Sequence, residues 1–153
     1  MGAIEEQTKS LYETDFYGWT AETAKTLRAG NFRALDVHNL IEEVESIGRS
    51  ERRELESRLM RLMAHLLKWQ YQWLHRSRSW ADTIAEQRAS VLDVLEENPS
   101  LRPQLQSVVA RAYRRAKIEA EGETGIGLRS FPSECPYPVE DLLREAWLPA
   151  TME

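Results

Sequence analysis

His38, Glu42 and Glu45 stand at i, i+4 and i+7. An imidazole and two carboxylates at that spacing share one stripe of a helix, which is how di-metal helical bundles assemble their ligands when the stripe faces the core. Here the geometry points elsewhere. Val37, Leu40, Ile41, Val44 and Ile47 define the apolar face of the same segment. Relative to its centre, Glu45 falls about 110° round the helix, His38 about 130° and Glu42 further still. All three are expected to face water. One histidine per cluster and no E-x-x-H spacing leave no ligand set to complete, so neither a metal nor another cofactor is expected.

A second polar constellation is split between two stretches of chain. Asp36 and Glu43 border the other side of the Val37 to Ile47 face, and His65 holds a similar border position further on, beside Arg61 and Lys68. A fold-back at Gly48 would bring the sets together. As a functional site they would form a polar pocket with a carboxylate base and a histidine; as structure they would form a salt bridge at the edge of the core. The second reading is favoured, because ion pairs across packed helices are common and need no ligand.

Trp69, Tyr71, Trp73, Arg76, Arg78 and Trp80 form the third cluster, in residue types that dominate protein interfaces and stacking platforms for single-stranded nucleic acid. Helical spacing divides it: Trp73 falls on the face of Leu55 to Leu66 and is expected in the core, Trp69 borders that face, and Tyr71 points away. Core plus rim is favoured, leaving Trp69, Tyr71, Arg76, Arg78 and Trp80 as the candidate interface. Cys135 lies in the proline-bound SECPYP with no neighbour in sequence to activate it, and is expected to be a structural thiol. Gly125-Ile-Gly127 lacks the strand and the further glycine of a nucleotide loop, so it is a connector.

The elements that must position these groups follow from periodicity and caps. Thr14 or Asp15 can open a first helix that stops at Gly30, with Phe16, Trp19, Thr23 and Leu27 on one face. Asp36 caps the next, whose apolar stripe resumes after Gly48 in Leu55, Leu59, Leu62, Met63, Leu66 and Trp73. Unbroken from Asp36 to Leu74, that helix would be about 60 Å long, roughly twice the diameter of a domain of this size, so a kink near Gly48 is expected. Ser79 to Asp82 resembles a capping box opening a helix that ends at Asn98-Pro99. Ser100 caps another, carrying Pro103 in its first turn and running to about Glu121. Residues 122–138, rich in Gly and Pro, form a long loop that must pack onto something. A last helix runs from Val139 to Trp147. The fold class is all-α: a single-domain bundle of about five helices over residues 1–153, with residues 1–11 a loose N-terminal segment and 149–153 a tail.

Composition narrows the function classes. The chain has 153 residues, 42% hydrophobic and 29% charged, with a net charge of −5. It is too apolar for disorder and has no run long enough to span a bilayer. The start lacks the order of a secretion signal, and a single cysteine fits a reducing compartment, so a cytoplasmic protein is expected. The charge is uneven: Asp36 to Ile47 is acidic, whereas Arg49 to Arg78 and Leu101 to Ile118 are basic. Such segments most simply complement one another across packed helices. The acidic total and the lack of a helix-turn-helix pattern put nucleic-acid binding last.

Several phrases together are similar to domain of unknown function family 29, a family of cyanobacteria and proteobacteria. They are YETDFYGW (12–19), LDVHNLIEEVES (35–46), GRSERRELESRL (48–59), AHLLKWQYQ (64–72), RSRSW (76–80), NPSLR (98–102) and FPSECPYP (131–138). The resemblance implies an all-helical bacterial protein and supplies no catalytic residues. The expected role is a non-catalytic interaction module that associates with itself or with another protein. An uncovered half of an unkinked central helix would favour a homodimer. The alternative is a ligand-binding or enzymatic bundle using Asp36, Glu43, His65, Lys68 and Arg61.

Overall fold

The computed structural model describes Ala3 and residues 11–152. The loose segment expected over residues 1–11 therefore lies outside the described residues, save Ala3 and Leu11. Among the described residues there is no strand, and the all-α class is what the chain adopts. It divides into two compact units, Met1–Arg49 and Ser50–Glu153.

In the first unit, helix α1 spans Phe16–Arg28. Asp15 caps it, its Oδ1 accepting the Gly18 amide at 2.9 Å. A Cβ on Gly18 would fall 2.4 Å from Asp15 Oδ2, so the cap itself occupies the space a side chain would need. Trp19 and Thr23 are buried as expected, whereas Phe16 and Leu27 from the same face are 49% and 41% exposed. The helix closes through Ala29 onto Gly30, whose φ of +71° is the left-handed turn that glycine accommodates without strain. After a 3-10 turn at Phe32–Ala34, Asp36 accepts the Asn39 amide at 3.5 Å and the Asn39 side-chain amide at 2.7 Å, which is its expected capping role.

Helix α2 spans Val37–Tyr71, 35 residues without a break, and Gly48, where a kink was expected, lies inside it. A Cβ at Gly48 would meet nothing, so glycine there costs only its poor helix propensity, about 1 kcal/mol relative to alanine. Ion pairs one turn apart support the helix here, Glu45–Arg49 at 3.7 Å across Gly48 and Glu54–Arg58 at 2.7 Å after it.

The second unit packs the C-terminal half of α2 with α3 (Arg78–Glu97), α4 (Leu105–Thr124) and the short α5 (Val139–Leu143). Leu55, Leu59, Leu62, Met63 and Leu66 are all sealed from solvent, as their spacing predicts. They share one core with Ile84, Val91, Leu95, Val108, Tyr113 and Leu142. Several boundaries differ from expectation. Ser77, not Ser79, caps α3 by accepting the Trp80 amide at 3.2 Å. Pro99–Gln104 is a 3-10 segment, so α4 opens at Leu105 rather than after Ser100. Two prolines four residues apart remove amide donors that a regular helix would use, and the tighter turn tolerates this. The last helix ends at Leu143, well short of Trp147.

The Pro- and Gly-rich stretch packs as expected. It begins at Gly125, a left-handed cap with φ of 74°, and buries Phe131 and Tyr137. Tyr113 Oη donates to the Pro132 carbonyl at 2.6 Å, and Tyr137 Oη to Gln70 Oε1 at 2.9 Å. The expected tail is pinned: the Met152 amide donates to the Gln70 carbonyl at 3.2 Å, and Arg76 Nη2 to Thr151 Oγ1 at 2.9 Å.

Two predictions arise from this packing. Burial raises the phenol pKa of Tyr71, Tyr113 and Tyr137 above the ordinary value of 10.0. The folded state then holds protons that the unfolded chain releases near pH 10, so this contribution to stability is complete below about pH 10 and is lost as the pH rises beyond it. An alkaline titration is expected to show part of the phenolate absorbance appearing only together with the loss of helical ellipticity. Ala146 is the one non-glycine residue with positive φ among the described residues, at 62°. Ala146→Gly is therefore expected to raise stability by about 0.5–1 kcal/mol in a denaturant titration.

Candidate functional site

In the first unit the acid and histidine stripe faces solvent. His38, Glu42 and Glu45 are exposed, and Glu45 pairs with Arg49. Among the described residues no group of three or more His, Cys, Asp or Glu side chains comes together to hold a metal ion. Asp36 is buried and engaged by Asn39. Glu43 Oε1 accepts the Tyr12 phenol at 2.7 Å, and that bond, with loss of water and the nearby acids, raises the Tyr12 pKa. Tyr12 belongs to an aromatic cluster with Phe16 and Trp19, its ring edge-on to Trp19 at 4.9 Å.

His65, Lys68 and Arg61 belong to the second unit. Asp36 and Glu43 belong to the first, and α2 is helical through Gly48, where a fold-back was considered. His65 Nδ1 lies 2.9 Å from the Arg61 carbonyl one helical turn earlier, a geometry that suits the tautomer with its proton on Nδ1. The Arg61 side chain is exposed. Lys68 is 7% exposed, with its ammonium 2.5 Å from Glu123 Oε2 and 4.7 Å from the centre of the Trp80 ring. Both partners come from outside α2, which is why spacing along that helix did not reveal them.

The aromatic and arginine residues are likewise committed within the chain. Arg76 lies over the Trp69 ring at 4.7 Å and donates to the Trp69 carbonyl at 2.8 Å. Tyr71, expected to point away, meets Phe131 edge-on at 5.1 Å and packs on the core. Trp73, expected in the core, is 40% exposed, since α2 ends at Tyr71 and the 3-10 turn Trp73–His75 takes it off the helical face. Of the candidate interface only Arg78 is exposed; Trp69, Tyr71, Arg76 and Trp80 are half-buried. The basic run of α4 is partly spent as well. Arg111 and Arg115 flank the buried Glu56 at 3.7 and 3.4 Å, and Lys117 donates to the Ser133 carbonyl at 3.2 Å. Burial raises the Cys135 thiol, which sits 3.6 Å from Met63 Sδ and 3.5 Å from the Tyr137 carbonyl.

An apolar surface is also open. On α2 of the first unit Val37, Ile41, Val44 and Ile47 are 52%, 51%, 60% and 65% exposed. Spacings of four, three and three residues put them on one helical face, the apolar stripe read from the sequence.

The fold and this surface define an all-α protein with committed polar groups and an uncovered apolar helix face. Residues 11–148 match the family model described as Domain of unknown function DUF29, and the chain belongs to that family. Neither a curated protein nor a solved structure matches it in the same comparisons.

Proposed function

We propose that the chain is a non-catalytic helical module that associates with a second copy of itself through Val37, Ile41, Val44 and Ile47. The observation that carries this reading is that all four, spaced along one face, are at least half exposed. A second copy is the occupant favoured because it brings the same stripe, and a twofold pairing of identical patches closes without leaving a further sticky surface. Antiparallel pairing also sets Val37 opposite Gly48, where a Cβ would meet nothing, so the ends of the seam have room to approach.

Covering the exposed halves of four such side chains is worth on the order of 4 kcal/mol per copy. The total for two copies is comparable with the roughly 4–15 kcal/mol lost on association, so the dimer belongs to the weak, concentration-dependent class. Sedimentation over about 1–500 µM tests it. The average mass is expected to climb from 17.8 kDa toward twice that value, and a mass that stays at 17.8 kDa throughout would overturn the proposal. The enzymatic alternative has less support, because Glu43 is held by Tyr12 and Lys68 by Glu123.

A further inference from the structure

The second unit contains a cavity of about 480 Å³ along α3, within the range of small-molecule sites. It is an open groove: Ala81, Ala85 and Ala89, one turn apart, form one side of it with Ile84 and Leu92, Ala85 and Ala89 being exposed, and Arg88 lies among them. Arg88 is only 3% exposed. Its Nε donates to the Leu142 carbonyl at 2.9 Å and its Nη2 to the Trp147 carbonyl at 2.8 Å, but no carboxylate among the described residues pairs with it. Nη1 makes no hydrogen bond, and it is not among the sealed unpartnered atoms of the described residues, so it keeps an opening. The cavity is the open space that this residue lines.

A guanidinium stays charged under all ordinary conditions, and two carbonyl dipoles compensate a buried cation less well than an anion does. Loss of water lowers the pKa of Arg88, the sign expected of a cation without a counter-charge. We propose that this cavity binds a small monocarboxylate with an apolar body, its carboxylate on Arg88 Nη1 and its hydrocarbon along the alanine wall. The solvent-exposed Asp93 and Glu145 also line the cavity, and they select against a second negative charge on the ligand. The site is independent of the α2 stripe and stands whether or not the chain dimerises.

The test uses the full chain and three probes of equal carbon count: octanoate, octanol and the dicarboxylate suberate. Calorimetry is paired with methyl shifts of Ala81, Ala85 and Ala89. Octanoate is expected to bind saturably at one site and to move those methyls, with octanol and suberate each about tenfold weaker or worse. Because Arg88 also ties down the C-terminal segment, the decisive variant is Ala89→Phe, which fills the wall and leaves Arg88 in place. It is expected to abolish octanoate binding while the melting temperature stays within a few degrees of the parent, on the order of 1 kcal/mol or less. No saturable octanoate binding, equal binding of octanol, methyl shifts elsewhere on the surface, or unchanged binding by a folded Ala89→Phe protein would each overturn the proposal. If Ala89→Phe fails to fold, Ala85→Leu gives the same reading through a smaller filling of the same wall.

Discussion

Val44→Glu is expected to keep the protein at 17.8 kDa at concentrations where the parent chain pairs. Val44 lies between Ile41 and Ile47 and is 60% exposed. In a twofold seam each new carboxylate would be pressed against apolar side chains of the other copy and brought close to its own counterpart. Stripping water from an unpaired charge is costly, and the weakening expected is about a hundredfold or more in the dissociation constant. The monomer should not notice: the site is exposed, and glutamate is at least as good a helix former as valine. Its melting temperature is expected to stay within the change produced by about 0.5 kcal/mol. Glu42→Lys serves as the control, since Glu42 is exposed away from the apolar stripe. Loss of pairing in both variants would show that charge, and not the stripe, governs association.

The other large effect belongs to the core. Leu62→Ala is expected to cost about 3 kcal/mol of stability, from lost transfer free energy and the cavity left where the side chain is now sealed from solvent. In a unit of roughly this size that lowers the melting temperature by about 14 °C. Ile47→Ala is the comparison. Ile47 is 65% exposed, so its truncation is expected to change stability by no more than about 0.5 kcal/mol. Both residues belong to apolar stripes of the same helix, α2, and thermal melts of the two variants separate the covered half of that helix from the uncovered one. Equal losses at the two positions would mean that Ile47 is covered within the monomer.

The contrast between Ile47 and Leu62 shows where sequence reasoning stops. Apolar spacing says which side of a helix is greasy, because side-chain direction along a helix repeats every 3.6 residues. It does not say what lies opposite. Lys68 reads as a boundary residue, yet its partners Glu123 and Trp80 come from α4 and α3, and nothing in the local pattern of α2 points to them. Arg88 carries a signal in the sequence itself: it sits between Ile84 and Val91 on the buried face of α3, where a charge is out of place.

By itself, then, the sequence determined the all-α class, a first cap at Thr14 or Asp15, the cap at Asp36, and the apolar stripe from Leu55 to Leu66. These depend on interactions within a few residues along the chain, which periodicity and side-chain chemistry report directly. Only the tertiary structure decided that α2 runs through Gly48, that Trp73 leaves the core, and that Arg88 is buried without a carboxylate. Each of these is a balance between a small local preference and packing supplied by residues far away in the chain. A glycine's penalty of about 1 kcal/mol is outweighed when the helix beyond it is locked into a core.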